Sequence, residues 1–195
     1  MFLRYPADQL RRGDRSATFV IPCLNEAPTL GRFLSECKSV FDDDTETDWE
    51  ILVVDNGSID ASVQIARKEA ATVVSNLTRG YGSAVHAGIL AARSVYVVYA
   101  DADGTYAAAD AVKLLSVIRS TGADLVIGSR IRGNIETGAM PWLHRHLGTP
   151  FLSLLIRKLY KLPISECNCG IRGLRRESYA NGTLPPRAWN SPRLC

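Results

Sequence analysis

The stretch "VYVVYADADGTY", residues 95–106, decides how the rest of the chain is read. Its opening run "VYVVYA" is apolar and rich in β-formers, the composition of a strand buried in a sheet. It ends in two carboxylates, Asp101 and Asp103, one residue apart. Ionised acids at the end of a core strand need a partner, because burying an unpaired charge is expensive.

Further strands flank this one: "ATFVIPCL" (17–24), "EILVVD" (50–55), "ATVVSN" (71–76) and "ADLVIGS" (123–129). Helical patterns alternate with them. Residues 27–41 carry Leu30, Phe33, Leu34, Cys37 and Phe41 at helical spacing. Residues 58–70 read as a helix with Ser58 or Asp60 as its cap. Residues 81–94 are entered through a glycine-containing loop, and residues 108–122 stop at Gly122. The acidic "DDDTETD" (42–48) reads as a solvated loop. Repeated β-α-β with continuous apolar strands predicts an α/β fold, a Rossmann-like, mostly parallel sheet with helices on both faces.

Right-handed crossovers put the strand C-termini along one edge, where such sheets bind ligands. The first strand ends in "PCLNEA", the second in "DNGSID" and the fourth in "DADG". Each alone also reads as a turn or cap, and Asn56-Gly57 is a good turn pair. Three together mark a ligand crevice. In an extended segment Asp101 and Asp103 point the same way. Two carboxylates that close repel unless a cation joins them. A hard divalent ion, Mg²⁺ or Mn²⁺, completed by diphosphate oxygens fits that demand.

Composition narrows the classes. The 195 residues, 46% apolar and 22% charged, suit one compact domain. A net charge of +3 is too weak to argue for a nucleic-acid partner. Five cysteines (Cys23, Cys37, Cys167, Cys169 and Cys195) lack zinc spacing and read as thiols of a reducing, cytoplasmic compartment. The N-terminal residues hold no apolar signal core, so the sequons are not read as glycosylation sites. No segment reaches the about 18 apolar residues of a membrane span. A nicotinamide-binding domain would need G-x-G-x-x-G after the first strand, where "PCLNEAPTLG" stands. A sugar nucleotidyltransferase would need a glycine-rich basic turn there.

The ordered set "IPCLNEAPTL", "ILVVDNGSIDAS", "RGYGSAVHAGI", "YADADGTY" and "LVIGSR" resembles family 2 glycosyltransferases, closest to the polyprenyl-phosphate, dolichyl-phosphate mannosyltransferase-like branch. "GAMPWLHRHLG" and "ECNCGIRGLRRESY" resemble acceptor-side segments of that branch. The resemblance spans residues 17–179, after an N-terminal extension of residues 1–16. It implies a glycosyltransferase-A fold, with a donor-binding part at 17–130 and an acceptor-side part at 131–179. By position, Pro22, Asn25 and Glu26 would lie on the nucleotide. Asp55 would contact the base, with Gly57 and Ser58 shaping its turn. Arg79, Gly80 and Gly82 would close over the donor. Asp103 would be the main metal ligand and Asp101 its donor-side neighbour, both catalytic. The branch often has Leu-Gln after its DAD, the Gln helping to hold metal. Here Gly104 and Thr105 stand there, so Thr105 becomes the third candidate ligand.

Residues 128–162 interleave Arg130, Arg132, Arg145, Arg157, Lys158 and Lys161 with Trp142, Phe151 and several leucines. Two readings stay open: an amphipathic membrane-surface segment, or a helix on the sheet with a basic solvated face. In the resembled branch two arginines grip the lipid phosphate. Arg130 and Arg145 stand at matching places, Arg130 counted as catalytic, and Arg172 is a third candidate; an arginine fork suits phosphate. The implied reaction is inverting transfer of a sugar from a nucleoside diphosphate sugar to polyprenyl phosphate at the cytoplasmic face of a membrane. The acceptor is already an anion, so His144 and His146 are read as surface or packing residues, and Glu166 as orienting an arginine or the sugar.

Residues 180–195 read as an irregular tail. Codons for "RAWNSPR" can be chosen so that a one-base shift reads Gly-Met-Glu-Phe-Ala-Ser, a segment common at this point of the branch. A frameshifted end is therefore the expectation. The alternative function is then a truncated, non-catalytic remnant that binds nucleotide sugar.

Overall fold

The computed structural model describes residues 15–129, 169–182 and 188–190. Seven strands, β1 (Ser16–Cys23), β2 (Asp48–Asp55), β3 (Thr72–Ser75), β4 (Tyr96–Tyr99), β5 (Leu125–Ile127), β6 (Arg172–Arg175) and β7 (Ala188–Asn190), form one sheet among the described residues. The helices are α1 (Ala27–Asp43), α2 (Ser62–Lys68), α3 (Tyr81–Ala91), α4 (Ala108–Thr121) and the single turn α5 (Arg176–Ala180). Strand order is β3-β2-β1-β4-β6-β5-β7. The β3-β2-β1-β4 half is parallel throughout, as the alternating pattern predicts.

All four residues of β4 are buried, so the opening stretch is a core strand. On one face the sheet is covered by α1, α2 and α4. Leu30, Phe33, Leu34, Cys37 and Phe41 of α1 are all buried there, with Leu114, Leu115 and Ile118 of α4. The other face is covered by α3, through Ala84, Val85 and Ile89 against Val20, Leu52, Val54 and Val97. Gly88 sets how close α3 lies: a Cβ there would meet Val54 Cγ2 at 2.9 Å and strike Val20 Cγ1. Helix α4 stops at Gly122, whose φ of 65° makes a left-handed cap and whose amide bonds the Ile118 carbonyl.

The structure departs from the sequence reading in three places. Strand β6 lies in mid-sheet, antiparallel to both β4 and β5, where no strand is expected. Its sequence "RGLR" carries one large apolar residue, so it gives no strand pattern. Gly173 packs closely on α4: a Cβ there would come 2.7 Å from Ile118 Cδ1, which would have to shift. Second, Ala188–Asn190, inside the tail that reads as irregular, pairs in parallel with β5. Third, α2 starts at Ser62 with Ala61 at its N-cap; Asp60 Oδ1 accepts from the Ser62 amide at 2.9 Å, whereas Ser58 makes no bond to α2. The same stretch also serves α1. Ser58 Oγ accepts from the Asn25 amide at 3.0 Å, Ser62 Oγ from Glu26 at 2.9 Å and Asp60 Oδ2 from Ala27 at 3.0 Å. Three consecutive amides leading into α1 are satisfied by the β2–α2 loop, which welds two strand ends together.

Candidate active site

In the order β2-β1-β4, chain connection reverses direction beside β1, which opens a crevice at the C-terminal ends of β1 and β4. A cavity of about 280 Å³ lies there. Its walls include Pro22, Glu26, Arg79, Gly80, Asp101 and Asp103, so five of the residues expected at the donor meet the expected main metal ligand in one place. Asn25, Asp55, Gly57 and Ser58 do not line it; they form the loop cluster beside it. Asn25 takes a φ of 58° and its Oδ1 accepts from the Ile59 amide at 2.9 Å. Asp55, buried at the end of β2, accepts from the Ser58 amide at 2.9 Å. Gly57 turns this loop with a φ of 94°.

Beside the first cavity lies a second, of about 540 Å³, walled by Tyr81, Gly82, Tyr99, Asp101, Gly170 and Arg172, among others. Gly82 therefore belongs to this chamber. Antiparallel β6 brings Arg172 here, because it is the register partner of Tyr99 at the end of β4. The Arg172 guanidinium bonds the Tyr99 hydroxyl, and its Nε donates to the Cys169 carbonyl at 3.2 Å. Arg130 and Arg145, with His144, His146 and Glu166, lie outside the described residues.

The acidic loop is bent. The chain leaves extended geometry after Tyr99, so the i, i+2 spacing does not lay both acids flat on one strand. Asp101 is partly buried, Ala102 is buried and Asp103 is exposed. Both acids still reach the first cavity. Asp103 Oδ1 accepts from the Thr105 amide at 2.9 Å, so Thr105 supports Asp103 through its backbone. Gly104 makes the turn possible with a φ of 79°. Burial pushes the Asp101 carboxyl above the ordinary carboxylate range; the Tyr81 hydroxyl pulls it back and the Asp103 charge raises it further. Tyr81 is itself pushed up, by burial first and then by the Asp101 charge.

Sequence reasoning missed several of these side chains. Asn56, read as half of a turn, is buried and ties three segments. Its Nδ2 donates to the carbonyls of Asn76 at 3.2 Å and Thr78 at 2.8 Å, while its Oδ1 accepts from Gly80 N at 2.8 Å. Tyr106 accepts from Gly170 N at 2.7 Å, pinning the approach to β6 against the acidic loop. Tyr81 stood unremarked inside "RGYGSAVHAGI". A large half-exposed tyrosine between two glycines was the signal there; for Tyr106 none existed, since its partner is 64 residues away.

Two carboxylates of hard oxygen at a cavity mouth fit a divalent cation that takes its other ligands from diphosphate and water. The Cys23 thiol also lines the cavity, but burial raises its pKa and keeps it neutral, which makes it a poor ligand. Among the described residues no helix is long and apolar enough to cross a membrane, and no cluster of three or more His, Cys, Asp or Glu offers a metal a complete set of protein ligands.

The low-salt glycan biosynthesis hexosyltransferase Agl6 of Haloferax volcanii is 33% identical over 160 residues, covering 82% of this chain and 38% of its own length. A dolichyl-phosphate hexose transferase of the same organism is 35% identical over 158 residues, covering 81% of this chain and 65% of its own length. The chain thus spans between about a third and two thirds of these two relatives. Glucosyl-3-phosphoglycerate synthase of Mycobacterium tuberculosis, solved with Mn²⁺, UDP and glucosyl-3-phosphoglycerate, superposes with a TM-score of 0.69 at 19% identity. That match covers 100% of this chain and 76% of the synthase, and it shows the glycosyltransferase-A fold. The family model "Glycosyl transferase family 2" matches residues 18–182, and the chain belongs to that family.

Proposed function

We propose that the site takes a nucleoside diphosphate sugar in the cavity between β1 and β4, with Mg²⁺ or Mn²⁺ at Asp103 and Asp101. The sugar is then transferred, with inversion, to a polyprenyl phosphate presented from the second cavity at a membrane surface. One observation carries this reading: two adjoining chambers share Asp101, one with the two acids and the α3 N-terminus, the other with Arg172. A donor and an acceptor phosphate need such neighbouring places, with anion-binding groups in each. The dolichyl-phosphate relative supports the acceptor class, and the Mn²⁺ and UDP of the fold neighbour support the donor class.

The work of each residue follows from its place. Asp103 and Asp101 hold the cation, which when bound offsets the charge growing on the leaving diphosphate. Arg79 lines the donor chamber, where its fork can pair a phosphate. Asn56 fixes Gly80, and so aims the first amides of α3 into the same chamber. Asp55, Asn25 and Ser58 form the rigid rim against which the base is read. Arg172 receives the acceptor phosphate; Arg130 and Arg145 join it on the strength of the resemblance. The acceptor oxygen is already anionic, so no general base is needed and catalysis is alignment plus charge stabilisation.

The test is a thermal-shift screen of nucleoside diphosphate sugars with the full chain, with and without Mn²⁺. Transfer from any hit to a short polyprenyl phosphate is then assayed. A Mn²⁺-dependent shift with one donor, followed by lipid glycosylation, is the expected result. No metal-dependent shift with any donor defeats the proposal. Binding without transfer to any acceptor selects the alternative, a nucleotide-sugar-binding chain without turnover.

A further inference from the structure

Tyr81 and Asp101 are the two described residues that line both chambers of the site. Tyr81 opens α3 directly after Gly80, whose φ of 124° turns the chain sharply into the helix. Its ring is 51% exposed, unusual for a large aromatic side chain, because it stands in the crevice and joins neither core cluster. Its hydroxyl acts on the Asp101 carboxylate as a donor, and the two side chains share the walls of both chambers. Gly170 also lies close to that carboxylate: a Cβ there would come 3.0 Å from Asp101 Oδ2 and 3.0 Å from the Tyr106 hydroxyl. No lysine or arginine among the described residues forms an ion pair with Asp101.

We infer that Tyr81 is a positioning residue of this site, orienting Asp101 through its hydroxyl and separating the two chambers with its ring. The inference rests on the function proposed above. The chemistry explains why a tyrosine stands here. An arginine would fix the carboxylate equally well but would cancel the charge that a cation must find. A phenylalanine would leave a partly buried carboxylate with no side-chain donor among the described residues. A phenol is a neutral donor: it sets the orientation and leaves the negative charge in place. The ring lines both chambers, so its removal would join them and favour hydrolysis of a bound donor over transfer.

Two variants separate the two roles. Tyr81→Phe keeps the ring and removes the O–H. Tyr81→Ala removes both. Calorimetric binding of UDP and of GDP is measured with Mn²⁺ and again in EDTA. For Tyr81→Phe the Mn²⁺-dependent affinity falls about threefold or more, while affinity in EDTA is unchanged, which also shows that the variant is folded. In turnover with the donor that the wild type binds, kcat falls about tenfold and donor KM moves little, the signature of lost alignment. The ratio of donor hydrolysis to transfer stays at the wild-type value in Tyr81→Phe and rises about tenfold in Tyr81→Ala. A Tyr81→Phe protein equal to wild type in both Mn²⁺-dependent affinity and kcat overturns the orienting role. Equal hydrolysis ratios in the two variants overturn the partition. If the wild type shows no Mn²⁺-dependent nucleotide binding, the proposed function has failed, and this inference falls with it for that separate reason.

Discussion

Asp60 and Asp101 stand on the same edge of the sheet and are treated in opposite ways. Asp60 is surrounded by donors: the amide and hydroxyl of Ser62 bond one oxygen, and the Ala27 amide bonds the other at 3.0 Å. Those bonds, the Ser62 hydroxyl foremost, hold its carboxyl below the usual range. Asp101 is partly buried with a tyrosine hydroxyl for a donor and a second acid nearby, and burial pushes it above that range. The β1–β2 side of the edge closes its hydrogen bonds internally, as a rim must. Among the described residues the β4 side gives Asp101 no ion-pair partner, and an acid so placed suits a cation. The contrast separates an acid that builds the fold from acids that bind.

The largest effect breaks the second half of that comparison. Asp103 is exposed and receives a backbone amide from its own loop, so Asp103→Ala leaves the melting temperature nearly unchanged. Mn²⁺-dependent nucleotide binding, measured by calorimetry, falls by more than the about 10–100-fold that losing an outer-shell partner of a metal ligand costs. A variant that binds Mn²⁺ and nucleotide as the wild type does shows that the acidic loop is not the cation site.

Asn56→Asp tests the rim. The buried amide donates to two carbonyls, at 3.2 and 2.8 Å, and a carboxylate would face both with no proton to give. Loss of two buried hydrogen bonds, with charge repulsion added, destabilises the fold by about 3 kcal/mol, read from urea denaturation. Nucleotide affinity falls as well, because the Asn76–Thr78 segment leading to Gly80 is no longer held, although a carboxylate oxygen still accepts from Gly80 N. Unchanged stability would mean that the rim is not held by this side chain, and the contrast between the two sides would lose its first half.

How much of this was legible in the sequence differs across the same divide. The parallel half of the sheet is visible because Phe19, Ile21, Val53, Val54, Val97 and Val98 sit in uninterrupted apolar runs. The acids at the strand ends are visible because topology alone puts strand C-termini on one edge. Strand β6 is not visible: a glycine packed close to α4 and two arginines around one leucine give no strand pattern. Asp60's bond to the first residue of the next helix is legible locally, but its second role is hidden for a related reason. Its local setting suggests a cap for the next helix, and only the fold brings the Ala27 amide, 33 residues away, within reach. Tyr81 and Asn56 were in view as letters, but their work depends on partners 20 or more residues distant, which no local pattern encodes.

The smallest effect compares the two acids directly, through pH. A carboxyl held below its ordinary range stabilises the fold above that range, and the contribution is lost as pH falls through its lowered pKa. Asp60 is such a group, so Asp60→Asn melts lower than wild type at pH 7 and the gap closes on acidification. A carboxyl held above its ordinary range works the other way. It binds its proton more tightly when folded, so its ionisation costs stability as pH rises through the raised pKa. Asp101→Asn therefore melts higher than wild type at pH 7, and this gap also closes as pH falls to about 4, where the unfolded carboxyl protonates too. Melting curves recorded from pH 7 down to about pH 2 thus approach the wild-type curve from opposite sides, the Asp101 gap closing by about pH 4 and the Asp60 gap only below it. The same Asp101→Asn protein loses Mn²⁺-dependent nucleotide binding, since an amide cannot supply the charge. Stability gained together with binding lost would identify Asp101 as an acid kept against the interest of the fold. If both variants melt below wild type at pH 7, Asp101 is a structural acid like Asp60, and the division of this edge into rim and cation site is wrong.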